Sequence, residues 1–331
     1  MKSLPEIVGS FSRKRVVVIG DAIADQFIYG EISRVSREAP VFILRHEHTE
    51  TTPGGAGNCA ANLASLGAQV RLISVVGDDE AGQILLQKLR DSGIDTSSVF
   101  VADRHRTTTK VRVLAGQIHS TRQQVIRIDY DGATGLTSRI GEELLAAVKS
   151  SVADADAVII SDYNYGVASP EIGAVVREAN QTRKVPVLVD SRFRLSQFPG
   201  FTSATPNEDE VEELLAAEHA DEIALATAAE DLRRDLGYEA LLVTRGGHGM
   251  TLVEAKKAPV HIDAVGARQP LDVTGAGDTV IATYTLALAS GASFDEAARL
   301  ANFAGGIVVM KRGTATVTSS ELLAAALNKE K

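Results

Sequence analysis

The stretch DVTGAGDTVIATYTLALASG (272–291) sets two aspartates around a run of tiny residues and then launches an apolar helix. A helix start leaves backbone N–H groups without intrahelical partners and carries partial positive charge, so Gly275, Ala276 and Gly277 can present amides to a closely approaching anion. An aspartate at the same edge repels a phosphate, but it is well placed to take a proton from a hydroxyl that is about to attack one. Asp278 therefore reads as a general base and the chemistry as phosphoryl transfer. The competing local reading is an Asp-rich cap on a buried helix.

Three further stretches have the residue types for such a site. TTPGGAGNCAANLASLG (51–67) places Gly54 and Gly55 ahead of a small-residue helix, as a substrate contact and a hinge, with Asn58 and Asn62 facing i, i+4. A tight turn with packing residues explains the same text. In TPNEDEVEELL (205–215), Thr205 and Glu208 have capping-box spacing with Pro206 as first helical residue. Asn207 and Glu210 are left over on one face, where they would hold a hydrated magnesium ion beside nucleotide phosphates or simply form an acidic first turn. VTRGGHGM (243–250) offers glycines and an arginine to phosphates, or a plain hairpin turn. No Walker A sequence occurs and no G-x-G-x-x-G follows the first strand, which excludes P-loop NTPases and dinucleotide-binding dehydrogenases.

Composition narrows the class. The chain has 331 residues, 44% of them hydrophobic, with 34 Lys plus Arg against 43 Asp plus Glu. The net charge of −9 and the lack of a basic stripe argue against a nucleic-acid partner. Charge or glycine interrupts every long apolar run, and MKSLPEIVGSFSRKR lacks a leader's apolar core, so a cytoplasmic protein without a membrane span is expected. The single cysteine, Cys59, leaves no internal disulfide and no Cys-based zinc cluster. His46 and His48 alternate along one strand, and the other histidines are scattered without metal spacing.

These residues must be positioned by the elements between them. RVVVIGD (15–21), VRLISVVGD (70–78), AVIISDY (157–163), VPVLVDS (185–191) and ALLVTRGG (240–247) read as buried strands, and helical patterns separate them. The alternation predicts an α/β fold: a mostly parallel sheet with helices on both faces and ligands beyond the strand C-termini. Asp21, Asp78, Asp162, Asp190 and Arg245 fall at or just past those ends. Alternating residues at 27–50 and 107–131 suggest antiparallel strands inserted from two places, forming one small β lid over the crevice. No linker marks a second domain, so 1–331 is expected to be a single domain.

Taken in order, the first-strand Gly-Asp, the Gly-Gly turn, Asn-x-x-Glu, the TRGG turn and DVTGAGD resemble the PfkB, or ribokinase-like, family of sugar kinases across essentially the whole chain. GDAIADQFIYGEISRVSREAPVFIL, TTTKVRVLAG, VIRIDYD and GDTVIAT are most similar to its members acting on D-glycero-D-manno-heptose 7-phosphate in ADP-heptose synthesis. The resemblance implies an ATP- and Mg²⁺-dependent kinase with Asp278 as base and the amides of Gly275, Ala276 and Gly277 as anion hole. It implies sugar contacts at Asp21, Gly54, Gly55, Asn58, Lys110, Arg112 and Asp162. It further implies nucleotide contacts at Asn207, Arg192, Thr244, Gly246, Gly249 and Asn302, with Asn207 and Glu210 organising Mg²⁺ through water. Asp272 and Thr274, with Gly313 and Thr316, resemble a monovalent-cation loop for potassium.

Two lysines usual in the heptose kinases are replaced, by DSRFR (190–194) and by Tyr165 in SDYNYG; Arg192 or Arg194 is a candidate substitute. The chain ends at ELLAAALNKEK, so the nucleotidyltransferase domain of some heptose kinases is expected on a separate enzyme. The lid cations Arg34, Arg37, Lys110, Arg112 and Arg127 are candidates for holding the phosphate of a sugar phosphate. The open edges of the lid suggest a homodimer built through it. Other acceptors remain open, namely a ketohexose, 2-keto-3-deoxygluconate or a nucleoside, as does a silent sugar-binding regulator.

Overall fold

The computed structural model describes residues 2–116, 122–132, 136–217, 221–266 and 270–329. The order is α1 (Leu4–Val8), β1 (Arg15–Gly20), β2 (Ala22–Val35), β3 (Phe42–Gly55), α2 (Ala56–Ser65), β4 (Gln69–Gly77), α3 (Glu80–Asp91), β5 (Asp95–Ala102), β6 (Thr109–Gly116) and β7 (Gln123–Tyr130). Next come α4 (Ser138–Val152), β8 (Ala157–Asp162), α5 (Pro170–Asn180), β9 (Val187–Ser191), β10 (Ser203–Ala204), α6 (Glu208–Leu215) and α7 (Glu222–Leu236). The chain finishes with β11 (Ala240–Thr244), β12 (Met250–Glu254), β13 (Val260–Ile262), α8 (Ala276–Ala289), α9 (Phe294–Val308) and α10 (Ser319–Lys329).

The main sheet has the order β13-β12-β11-β10-β9-β8-β1-β4-β5. Its pairings are parallel from β11 through to β5, and β12 and β13 add an antiparallel edge. The continuous apolar runs of β1 and β8 are the reason: both faces are covered, so successive side chains must all be apolar. Val16 and Val18 point into one core with Leu63, Tyr284 and Leu300 of α2, α8 and α9. Val17 and Ile19 point into the other with Val148, Val176 and Leu232 of α4, α5 and α7. The sequence predicts the parallel sheet covered on both faces; it passes over β5, whose DTSSVFVA is too polar to read as a buried strand, the two-residue β10 inside the sheet, and β12 and β13 at the opposite edge.

The small sheet has the order β3-β2-β6-β7. Its two hairpins are antiparallel, as expected, and they join through a parallel pairing of β2 with β6. The first hairpin reaches beyond the expected 27–50: Ala22, separated from β1 only by Asp21, pairs with Gly55, which immediately precedes α2. Residues 117–121, inside the expected 107–131 segment, lie outside the described residues, as do 218–220 at the end of the helix expected from DEVEELLAAEHA. Among the described residues no helix is long and apolar enough to cross a membrane.

Candidate active site

Helix α8 is apolar around its circumference because it is wedged between α2 and α9. It can begin where it does because Gly275 adopts φ 75°, and because a Cβ there would come within 2.4 Å of Asn58 Nδ2. Asp278, in the first turn, is only 3% exposed. Asn58 Nδ2 donates to its Oδ2 at 2.8 Å and the Tyr163 hydroxyl donates to its Oδ1 at 2.9 Å. Asn58 is itself held by Asn62, whose Nδ2 donates to the Asn58 carbonyl and Oδ1 at 3.0 and 3.2 Å. The Thr279 hydroxyl donates to Asn62 Oδ1 at 3.0 Å and closes the ladder.

Burial pushes Asp278 up to about 7, against the two donors, which favour the carboxylate; nearby Asp25 adds to the rise and Lys110 opposes it. A carboxylate poised near neutrality can both accept a proton and release it. Of the three expected anion-hole amides, that of Ala276 is turned back to the Val273 carbonyl at 3.2 Å. Gly277 faces empty space, with nothing within 4 Å of a Cβ built on it.

The small sheet meets this helix start through Asp25, which the sequence reading passed over. Asp25 is buried, its Oδ1 lies 2.5 Å from Arg112 Nη1, and its Oδ2 accepts from the Thr314 hydroxyl at 3.2 Å. Gly54 is required here, because a Cβ would sit 2.4 Å from Asp25 Oδ2. Gly55, at φ 55°, is similarly pinned against the Asp21 carbonyl. Lys110 is buried, with Nζ 5.3 Å from the centre of the Tyr163 ring and 5.9 Å from that of Tyr165. Burial lowers its pKa, and Asp25 partly offsets the effect.

Asp21 and Asp162 are brought to the crevice, where both carboxylates accept several hydrogen bonds from the protein. Asp21 accepts backbone N–H bonds from Tyr163, Tyr165 and Val167 at 2.9, 3.0 and 2.9 Å, so it shapes the 163–167 loop. Asp162 accepts from Ser191 Oγ at 2.7 Å and the Asn164 amide at 3.0 Å, and it is paired with Arg194. Both thus help to build the wall of the crevice, and Asp21 Oδ1, with one accepted bond, keeps a second acceptor site.

On the far side of Asp278 lies a polar cavity of about 230 Å³ lined by Tyr163, Asp190, Arg192, Asn207, Glu210, Thr244 and Gly277. Asn207 and Glu210 are the capping box of α6: Glu210 N–H donates to Asn207 Oδ1 at 2.8 Å, and Asn207 N–H to Glu210 Oε2 at 2.9 Å. The expected box at Thr205 and Glu208 is thus displaced by two residues, because the Thr205 amide still donates to the Val189 carbonyl and keeps that residue on the sheet. Burial raises the pKa of Glu210 and drives that of Asp190 well up, with Glu210 and Asp278 repelling Asp190 further. Arg192 is the one cation of this wall, and the two crowded carboxyl groups opposite it would suit a hydrated Mg²⁺. Among the described residues no three His, Cys, Asp or Glu side chains are grouped to hold a metal ion.

Thr244 and Gly277 also line a second, mostly apolar cavity of about 210 Å³ with Gly246, Gly249, Val265, Val280 and Asn302. The two cavities therefore adjoin, apolar then polar, as a nucleoside followed by its phosphates requires. Asn302 lines the apolar cavity, and its Nδ2 donates to the Asp263 carbonyl at 2.7 Å. Asp272 ties two loops together, accepting from Thr274 N–H and Gly313 N–H at 2.9 Å each. The carbonyl of Thr316 accepts from the Lys311 ammonium at 2.7 Å. Asp272 thus joins the two segments expected to hold potassium, and the Thr316 carbonyl keeps a second lone pair.

The pfkB family of carbohydrate kinases matches residues 13–321. The chain is 39% identical over 315 residues to a bifunctional protein HldE of Trichlorobacter lovleyi, covering 95% of this chain and 63% of the relative. It is 42% identical over 330 residues to one from Caulobacter vibrioides, covering 98% and 66%. The chain thus spans just under two thirds of the length of these relatives. Among solved structures, Arabidopsis thaliana ribokinase complexed with ribose and ATP superposes with TM-score 0.73 at 21% identity, covering 95% of this chain and 98% of that one. Escherichia coli phosphofructokinase-2 in complex with substrates and products gives TM-score 0.80 at 20% identity, covering 96% and 100%. These two likenesses bear on the fold.

Proposed function

This chain belongs to the pfkB family of carbohydrate kinases, and we propose that its acceptor is D-glycero-β-D-manno-heptose 7-phosphate, converted with ATP to the 1,7-bisphosphate. The observation that carries the reading is Lys110: a buried cation over two tyrosine rings, beside the base, with no carboxylate in ion-pair contact among the described residues. An unphosphorylated sugar gives such a group little reason to be there, whereas a phosphate at the far end of the acceptor would neutralise it.

In the proposed reaction the small sheet acts as a lid, and Asp25, held by Arg112 and Thr314, orients the sugar hydroxyls. Asp278 takes the proton of the attacking hydroxyl as its oxygen bonds to the γ-phosphorus of ATP. The Gly277 end of α8 and Arg192 meet the developing charge. Asn207 and Glu210 would hold Mg²⁺ through water, and the ion would supply charge neutralisation along the phosphates. The buried thiol of Cys59 suits the reducing cytoplasm in which we place the enzyme.

The deciding experiment is coupled ADP release across heptose 7-phosphate, free heptose, fructose, fructose 6-phosphate, 2-keto-3-deoxygluconate and adenosine. Heptose 7-phosphate is expected to give the highest kcat/KM, and a clear preference for any other acceptor would remove the assignment.

We also propose a homodimer through the small sheet. Val35, Phe42, Val125, Ile126 and Ile128 are exposed on it, and β3 and β7 are open edges. Sedimentation at micromolar concentration is expected to show a dimer that Phe42→Asp with Ile126→Asp converts to monomer. A monomeric wild type would refute it.

A further inference from the structure

Each carboxylate oxygen of Asp278 accepts a hydrogen bond from another side chain. Oδ2 is held by Asn58, which the Asn62 and Thr279 ladder fixes from behind. Oδ1 is held by the hydroxyl of Tyr163, from a different element and, among the described residues, with no such ladder behind it. Tyr163 is half-buried at the wall of the polar cavity, and its loop has an irregular backbone, with Asn164 at φ 65° and Gly166 at φ 104°. The same loop is anchored by the three amides bound to Asp21, so the ring is presented from a fixed base while its tip faces the crevice.

A general base cannot bind an acceptor hydroxyl through an oxygen that is already accepting a bond of full strength in the required direction. We propose that Tyr163 caps the base: its hydroxyl occupies the oxygen of Asp278 that the acceptor needs, and the sugar must displace it before the base can act. The inference rests on the reading of Asp278 as base and adds a device that discriminates sugar from water. With the cap in place, the Tyr163 hydroxyl fills the approach to Oδ1 from the polar cavity, and a water molecule beside bound ATP is denied that approach. Without it, Asp278 takes a proton from water, the water oxygen bonds to the γ-phosphorus, and the bond from that phosphorus to the bridging oxygen of ADP breaks. The products are ADP and inorganic phosphate, and the proton on Asp278 returns to solvent. Tyr163 is thus a positioning residue whose effect is greatest when the sugar site is empty.

Phosphate release from ATP without sugar, measured on Tyr163→Phe, tests the proposal, since that variant keeps the ring and removes only the hydroxyl. Sugar-independent hydrolysis is expected to rise about tenfold or more, a modest share of what a general base contributes. The KM for the acceptor is expected to fall, because nothing has to be displaced. Tyr163→Leu, which also lacks the hydroxyl, is expected to show the rise too, and Tyr163→Phe combined with Asp278→Asn is expected to abolish it. Hydrolysis at the wild-type level in both single variants, each with an unchanged melting temperature, would overturn the cap, and so would a rise that survives the double substitution. Failure of the underlying base assignment shows separately, as near wild-type sugar phosphorylation by Asp278→Asn alone.

Discussion

Asp278→Asn is expected to lower kcat by roughly 10²–10⁴-fold with the best acceptor while ATP binding persists, because the substitution deletes the base and preserves its shape. A second, opposite effect should accompany it. In the folded chain burial holds the Asp278 carboxyl at about 7 against an ordinary 3.8. The folded state therefore binds more protons than the unfolded state between those values. The stabilising contribution is fully present below about pH 4 and is lost as pH rises through about 7. At pH 8 the wild type carries a buried carboxylate that the variant lacks, so Asp278→Asn should melt no lower than wild type there, and lower than or level with it at pH 5. The wild-type kcat/KM should fall on the acid side of about pH 7 as the base becomes protonated. Near wild-type turnover in the variant would end the assigned mechanism, and an acid limb near pH 4 would mean that the carboxyl is not buried in the working enzyme.

The second large effect is expected at Lys110. Lys110→Ala should reduce kcat/KM for heptose 7-phosphate by about ten- to a hundredfold, the loss of roughly 1.5–3 kcal/mol that a charge-assisted contact carries, and should leave the unphosphorylated sugar much less affected. The other cations of the small sheet supply the controls. Arg34 and Arg37 are exposed, and Arg127 is paired with Asp129 at 2.8 Å in solvent, where such pairs contribute little. Alanine at these three positions is expected to change either sugar by less than about twofold. Arg112→Ala should harm both sugars alike, because it leaves Asp25 buried without its partner. Equal losses on both sugars in Lys110→Ala would show that the residue supports the sheet instead of reading a phosphate.

The central sheet was legible because β-branched runs ending in Gly-Asp or Asp-Ser leave little choice of element, and because two covered faces demand unbroken apolar text. The start of α8 was legible for a similar reason: tiny residues followed by Asp278 have few structural uses. Asp25 was not. In GDAIADQFIYG two aspartates stand four apart, and sequence alone does not reveal that Asp21 turns inward to bind amides while Asp25 reaches the crevice on the next strand. That difference arises from the step out of the main sheet between Gly20 and Ala22, a tertiary event. Likewise TPNEDE contains two overlapping capping boxes, and a sheet hydrogen bond to Thr205 selects the later one. In sequence Tyr163 reads only as the end of a strand; its contact with Asp278 spans 115 positions and leaves no local trace.

The root of the first hairpin sets how such a protein can diversify. Because Ala22 and Gly55 face each other in register, residues can be added to or removed from the far tip in pairs without shifting β1, α2 or the start of α8. A single-residue insertion near the root would instead flip Asp25 to the opposite face of its strand and take it out of reach of Arg112 and Thr314. The tip is therefore open ground for evolution, where length and partner contacts can drift, while the first few residues from the root tolerate almost no change in number. Related chains should differ in length between Val35 and Phe42 far more than between Ala22 and Asp25.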